Sequence, residues 1–231
     1  MEVSKRITIA IDGPAASGKS TTAKLVAEKL GYLHIDTGAM YRAITLKVLD
    51  HQIDLSDRET IEALARKSAV NLESSSSSSR VLLDGFDVTK RIRTPLVTQS
   101  VSTVSSYGGV REVMVREQRK IAVDGGVVLE GRDIGTVVLP DAELKIFMVA
   151  SVEERARRRK KELALNGIEA SEEELMREIE IRDQKDSTRA ASPLKKAPDA
   201  CVLDTSDLTI EEQVDFIVER ALKIIEQEQV A

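Results

Sequence analysis

The sequence predicts an α/β protein: a five-stranded parallel sheet with helices on both faces and a small β-rich insertion. Three observations carry this reading. Five short apolar runs alternate with helical segments along the chain, the pattern of a parallel sheet buried on both sides. A glycine-rich loop joins the first of these runs directly to the first helix. Between residues 70 and 92 the apolar period changes from helical to strand-like, so an insertion interrupts the alternation. With 231 residues the chain can bury one substantial core. It contains no internal repeat and no linker long enough to separate independent domains.

Ile7 to Ile11 forms the first strand and runs through Asp12 into GPAASGKS. Thr21 to Leu30 follows as a helix, with Ala23, Val26, Ala27 and Leu30 on one face and Gly31 as its end. Tyr32 to Ile35 is the second strand, and Asp36, Thr37 and Gly38 sit beyond its carboxyl end. A helix from about Ala39 to Leu49 carries Tyr41 and Arg42 in its first turn. Ser56 and Glu59 form a capping box for a helix to about Lys67. Ala69 to Leu72, Val81 to Leu83 and Phe86 to Val88 read as strands, with Asp84 and Gly85 as a two-residue turn. The six serines from Ser74 to Ser79 make a hairpin loop without chemistry.

Thr94 and Pro95 begin a helix towards Ser106, Gly108 and Gly109 break the chain, and Val110 to Val123 forms the next helix. Val127 to Glu130 and Leu144 to Val149 are buried strands. SVEERARRRKKEL lies on a helix that Gly167 ends, and Ser171 with Glu174 caps another that carries RDQKDSTR. Cys201 to Leu203 is the fifth strand of the sheet. Thr209 and Glu212 cap the last helix, whose apolar stripe includes Val214, Ile217, Ala221 and Ile224.

Composition excludes several classes. A formal net charge of −5, aromatics at 3% and no Trp argue against a nucleic-acid polymer as partner. No apolar run approaches the ~20 residues that span a bilayer, and MEVSKR leads at once into a strand, so neither a membrane span nor a signal peptide is expected. The single cysteine, Cys201, fits a cytoplasmic protein and, in its apolar run, a buried inert thiol. An acidic protein with arginines concentrated in its second half suits small phosphorylated molecules.

The spacing Gly13, four residues, Gly18, Lys19, Ser20 is a P-loop. Backbone N–H groups between the glycines can hold a triphosphate, Lys19 can reach its β- and γ-phosphates, and the Ser20 hydroxyl suits Mg²⁺. Arg42 and Arg132 follow strands at the same sheet edge and can converge on one pocket, where arginine forks suit phosphate. Arg182, Asp186 and Arg189 fall at i, i+4 and i+7, which is one stripe: a solvated ion-pair ladder, or a nucleotide contact. Arg155 and Arg159 share a helix face: an exposed basic surface, or a lid closing on the transferring phosphoryl group. His34 lies in a strand and reads as packing.

IDGPAASGKST, DTGAMYRA, LEGRDIGTVVLPDA, SVEERARRR and RDQKDSTRAASPL occur in that order and cover nearly the whole chain. Together they make the sequence resemble the bacterial cytidylate kinases, P-loop nucleoside monophosphate kinases that phosphorylate CMP and dCMP. The resemblance implies one kinase domain with its core at about 1–37, 107–151 and 190–231, an acceptor-binding region at about 38–106 and a lid at about 152–189. It implies ATP contacts from Asp12, Gly13, Pro14, Ala15, Ala16, Ser17, Gly18, Lys19, Ser20 and Thr21, with Mg²⁺ on Ser20. Arg42, Arg132 and Arg189 would hold the acceptor phosphate, Asp36 and Thr37 would line its pocket, and Arg182 and Asp186 would lie near the sugar. Ser102, Arg111 and Asp133 would read cytosine, and Lys19, Arg132, Arg155 and Arg159 would act in catalysis. A monomer working on ATP, CMP and dCMP in the cytoplasm is the expectation. One departure from the family pattern is Gly108–Gly109, where a bulkier residue and proline are expected. UMP, AMP or shikimate as acceptor, and a nucleotide-driven switch protein, are the competing readings.

Overall fold

The computed structural model describes residues 6–74, 79–165 and 167–230. The first half contains β1 (Thr8–Asp12), α1 (Lys19–Leu30), β2 (Leu33–Asp36), α2 (Thr37–Asp50) and α3 (Arg58–Arg66). The insertion follows as β3 (Val70–Ser74), β4 (Ser79–Leu83) and β5 (Phe86–Asp87), then α4 (Pro95–Val104) and α5 (Gly108–Ala122). The second half supplies β6 (Val127–Gly131), β7 (Leu144–Val149), α6 (Val152–Leu165), α7 (Glu172–Thr188), β8 (Cys201–Asp204) and α8 (Ile210–Val230).

Among the described residues, β2, β6, β1, β7 and β8 lie side by side in that order as one parallel sheet. Alternation along the strands sends side chains to opposite faces. Ile9 and Ile11 of β1 pack with Val26 of α1 and Ile217 of α8, while Ala10 packs with Ile35, Leu129 and Ile134 on the other side. β1 is therefore buried on both faces and central, which is why Ile9, Ala10 and Ile11 are apolar in succession. The β-rich insertion is a separate antiparallel sheet, β3-β4-β5, whose Val70, Val81 and Leu83 pack on α2 and α4. Asp84 and Gly85 turn its second hairpin with φ of 52° and 87°, the left-handed pair such a turn requires. Of the hexaserine segment, residues 75–78 lie outside the described residues, as do 1–5 at the amino terminus.

Four local expectations are corrected. The helix after β2 begins at Thr37, because Asp36 itself is the N-cap and accepts from the Ala39 N–H at 3.0 Å. Asp57, not Ser56, caps α3: its carboxylate accepts from Thr60, while the Ser56 hydroxyl donates to Asp54. Gly108 and Gly109 do not break the chain but form the first turn of α5. There the Gly109 N–H donates to Glu62 Oε1 at 3.0 Å, and a Cβ at that position would lie 2.6 Å from the Glu62 carboxylate. A tertiary contact overrides the helix-breaking tendency of the pair. Cys201 is exposed rather than buried, because β8 is an edge strand on which Leu203 alone is buried.

The two helices expected to form the lid are α6 and α7, which pack through Ala156, Leu175 and Ile179 in a small core of their own. Gly167 follows α6 with φ 73°, and the Ser171 hydroxyl caps α7 by accepting from Glu174. Thr209 and Glu212 form the reciprocal capping box that starts α8. No helix of the described residues is long and apolar enough to cross a membrane.

Candidate active site

β1 delivers the glycine-rich loop to the carboxyl edge of the sheet. Gly13 has φ 153°, and a Cβ there would stand 2.1 Å from the Met148 carbonyl of β7, so only glycine fits. Ala16 and Gly18 take φ of 59° and 92°, which turns the loop in on itself before α1 starts at Lys19. Lys19 lies back across the loop, donating from Nζ to the Pro14 carbonyl at 2.5 Å and to Ser17 Oγ at 3.2 Å. Burial, then the nearby Arg132, pulls the Lys19 ammonium well below its ordinary pKa. Positive charge held under such a penalty is charge that an anion would relieve.

Ser20 and Thr21 are exposed at the head of α1. Ser20 donates its hydroxyl to Glu130 Oε2 at 2.7 Å. Glu130 is buried at the end of β6, where its other oxygen meets His34 Nε2 at 3.1 Å and its carbonyl accepts the Thr37 hydroxyl at 2.7 Å. His34 is thus a partner of Glu130 and not simply packing. Asp12 turns away from the loop and accepts the backbone N–H groups of Ile134 and Gly135 at 2.7 and 2.8 Å. These two residues open a π-helical turn, Ile134–Val138, directly after Arg132 and Asp133. Asp12 therefore ties the phosphate loop to the turn that carries both. Burial outweighs those two hydrogen bonds and pushes its carboxyl up to about 6.

Arg132, in the turn after β6, and Arg182 of α7 act on Lys19, and Arg42 of α2 and Arg159 of α6 join them. Arg42 of α2 is held by Thr98 Oγ1 at 2.8 Å, and burial together with Arg93, Arg159 and Arg132 lowers its pKa against the pull of Asp36. Arg182 of α7 is brought down to about 10, by burial first and then by Arg132, with Arg42 and Arg159 adding to it. Its Nε has no hydrogen-bond partner among the described residues. Arg42, Arg132, Arg159 and Arg182 thus share one field, with Asp36 acting on Arg42 and Asp186 on Arg132 and Arg182. Arg132 donates from Nε to Asp186 Oδ2 at 2.9 Å.

Next to this group is a second one. Arg111 donates to Asp133 and to the Ser105 carbonyl, and Arg189 Nη2 lies 3.7 Å from Asp133 Oδ1. Burial opposes the Arg111 charge, but Tyr41 and Asp133 outweigh it and raise its pKa. Ser102 sits one turn before Ser105 on α4, half-buried. Arg189 is the C-cap of α7 with extended backbone, so the stripe of Arg182 and Asp186 stops short of it.

Arg155 is not brought into the arginine group. It is buried at the base of α6, donating to Asp183 Oδ2 at 2.6 Å and to the carbonyls of Ala150 and Ala15 at 3.1 and 3.4 Å. Arg159, a turn further out, pairs with Glu162 at 2.8 Å and faces Arg42 and Arg182. Two neighbours of the loop were not singled out by sequence. Arg158 donates to the Ser17 carbonyl at 3.3 Å and to Thr205, and Glu130 faces Ser20. Glu130 stands in the quoted LEGRD run, one residue before Gly131, but nothing in its spacing marks it as a partner of Ser20.

No group of three or more metal-ligating side chains occurs among the described residues. The Ser20 and Glu130 oxygens are the donor set nearest the loop, and their hard oxygen chemistry fits a small divalent cation held mainly by phosphate.

The profile of the cytidylate kinase family matches residues 9–226. A cytidylate kinase of Bacillus pumilus is 52% identical over 223 residues, covering 96% of this chain and 99% of that relative. One from Desulforamulus reducens is 55% identical over 210 residues, covering 91% and 94%. Among solved structures, an uncharacterized protein from Eubacterium ventriosum superposes with a TM-score of 0.51 at 13% identity, covering 94% of this chain and 98% of that one, which supports the fold alone. With a profile match over nearly its whole length and relatives above half identity, the chain belongs to the cytidylate kinase family.

Proposed function

We propose that the protein transfers the γ-phosphoryl group of ATP to CMP or dCMP, giving ADP and CDP or dCDP. The observation that carries this is the cluster of Arg42, Arg132, Arg159 and Arg182, drawn from α2, the turn after β6, α6 and α7, with Arg132 and Arg182 next to Lys19. Burial and the neighbouring guanidiniums pull Arg42 and Arg182 below their ordinary pKa, a cost that phosphate oxygens from the two nucleotides would relieve. The loop and Lys19 hold the donor phosphates. Arg42, Arg132 and Arg189 take the acceptor phosphate, Asp36 and Thr37 border its pocket, and Arg182 with Asp186 lies by the sugar. Arg159 and Arg155, on the lid, act as it closes, Arg155 through its grip on the loop at Ala15. The chemistry is positioning and charge stabilisation, which is what phosphoryl transfer requires.

Asp133 reads the base with Arg111. A carboxylate only accepts hydrogen bonds, so it suits the exocyclic amine of cytosine, while Arg111 donates to the ring acceptors. Asp133 has lone pairs for both Arg111 and the amine. Ser102 completes this wall. Mg²⁺, when bound with ATP, neutralises charge on the donor phosphates. Ser20 would hold it, with Glu130 supporting. On this reading the segments at about 38–106 and 152–189 are acceptor region and lid around one core, and the protein works as a monomer in the cytoplasm on small nucleotides.

The deciding experiment is a coupled assay of ADP release with CMP, dCMP, UMP, AMP and shikimate at fixed ATP and Mg²⁺. CMP and dCMP should give by far the highest kcat/KM. Faster transfer to any other acceptor overturns the substrate assignment. Hydrolysis without an acceptor that matches the rate with CMP would point to a nucleotide switch instead.

A further inference from the structure

Behind the Arg111–Asp133 pair lies a second polar layer that none of the roles above uses. Arg111 and Gln118 are two turns apart on α5, so their side chains leave one face of that helix. Tyr41 meets them from α2. Its ring lies beneath the Arg111 guanidinium, whose Cζ is 5.1 Å from the ring centroid, a cation–π contact. Burial pushes the Tyr41 hydroxyl up to about 12, and the Gln118 side chain, across the contact of α2 with α5, pulls against that. Yet by strict geometry neither that hydroxyl nor either Gln118 amide atom has a hydrogen-bond partner among the described residues. Gln118 is fully buried and Tyr41 nearly so.

A buried amide without partners is a net cost, and an apolar side chain of the same shape would serve packing as well or better. Packing alone therefore gives no reason for glutamine at position 118. The pairing of these groups gives one. A hydrogen bond between the phenol and the amide satisfies both and stops the ring sliding under the guanidinium. Arg111 then keeps its angle, and with it the Asp133 carboxylate that it grips.

We propose that Gln118 is a positioning residue for base selection: it holds the Tyr41 hydroxyl, Tyr41 holds Arg111, and Arg111 aims Asp133 at the base. This rests on the reading that Arg111 and Asp133 recognise cytosine. The chain runs through contacts and does not require Gln118 to touch the nucleotide.

The test compares kcat/KM for CMP and for UMP in the full-length wild type, Gln118→Leu, Gln118→Met, Tyr41→Phe and the double variant Tyr41→Phe/Gln118→Leu, each with a thermal melt. Each single variant should lower the CMP to UMP ratio about tenfold, the scale of coupling between contacting residues. The loss should fall on KM for CMP and leave KM for ATP unchanged. The double variant should lose no more than the larger single loss, because both act through one contact. A merely structural Gln118 would move the melting temperature and not the ratio. A ratio within twofold of wild type in any folded single variant overturns the proposal, and so does a double variant that multiplies the two losses. Should neither Gln118 variant fold, Tyr41→Phe decides alone. A wild type that does not separate CMP from UMP overturns the base-reading itself, a result distinct from the failure of Gln118.

Discussion

Ser20 and Glu130 face each other across the sheet edge, hydroxyl to carboxylate at 2.7 Å, although 110 residues separate them in sequence. The carboxylate thereby orients the hydroxyl that suits Mg²⁺. Glu130→Gln keeps the shape and loses the charge. Turnover should fall by about 10–100-fold, and the Mg²⁺ concentration for half-maximal rate should rise, as when the support of a metal ligand is removed. Titration of Mn²⁺ into the ATP complex by electron paramagnetic resonance checks the same loss without turnover. Wild-type binding of Mn²⁺ in the variant would show that Glu130 has no part in the metal site.

Arg155 and Arg159, the two arginines of the proposed lid, should separate experimentally. Arg155→Ala leaves Asp183 without its partner at the base of α6, so it should cost about 1–3 kcal/mol of stability besides activity. Arg159→Ala removes a partly exposed guanidinium from a group of like charges. It should leave the melting temperature unchanged while lowering kcat by about 100-fold. Melting curves beside saturating-substrate kinetics distinguish the two. Equal thermal losses would mean that Arg159 is structural as well.

What the sequence made legible, and what it hid, divides by range. The strand–loop–helix at 7–30 could be read because each device is local: a β-prone run, glycines at positive φ and a helix that ends on Gly31. The same holds for the Asp84–Gly85 turn and the capping box at Thr209. Errors arose where a distant residue decides. Gly108–Gly109 looks like a helix breaker until Glu62 supplies a partner for Gly109. Cys201 looks buried until the sheet order puts β8 at an edge. Within the candidate site, arginines at strand ends were visible because strand ends share an edge in this topology. Glu130, Arg158 and Gln118 were not, since their contacts with Ser20, Ser17 and Tyr41 leave no periodic trace.

Asp133→Asn should weaken discrimination between CMP and UMP, mainly by loss of CMP activity, because the amide can offer a donor where cytosine also offers one. A carboxylate opposed to the uracil carbonyl leaves two acceptors unpaired, worth roughly 1–3 kcal/mol. The substitution also takes the counter-charge from buried Arg111, so a lower melting temperature should accompany it. The measurement is kcat/KM for both nucleotides in wild type and variant. An unchanged ratio would show that Asp133 does not read the base.

Asp12 makes stability depend on pH in a particular direction. Its carboxyl is pushed up to about 6 in the folded protein, from 3.8 ordinarily, chiefly by burial. The folded state therefore holds this proton more tightly than the unfolded chain does. The resulting stabilisation is complete below about pH 4 and is lost as pH rises through 6. Asp12→Asn does not titrate. Between pH 4 and pH 7 the stability of the wild type should drop relative to this variant by up to about 3 kcal/mol. Urea unfolding of both proteins across that range checks the sign. A wild type that gains on the variant as pH rises would refute it.

The position of β1 at the middle of the sheet also bears on how the chain is born. Its register partners lie on β6 and β7, more than a hundred residues downstream, as in Ile9 with Val128 and Leu144. On the ribosome, Ile7–Ile11 thus emerges first and waits for about 140 further residues before it has both neighbours. At ~5–20 residues per second that wait is on the order of 10 s. For that time a largely apolar strand with two open edges is exposed to other nascent chains. Early capture by α1 can shield one face through Val26, but both edges stay open until β6 and β7 arrive. The central strand that carries the phosphate loop is consequently the strand of the sheet that waits longest for its neighbours during synthesis.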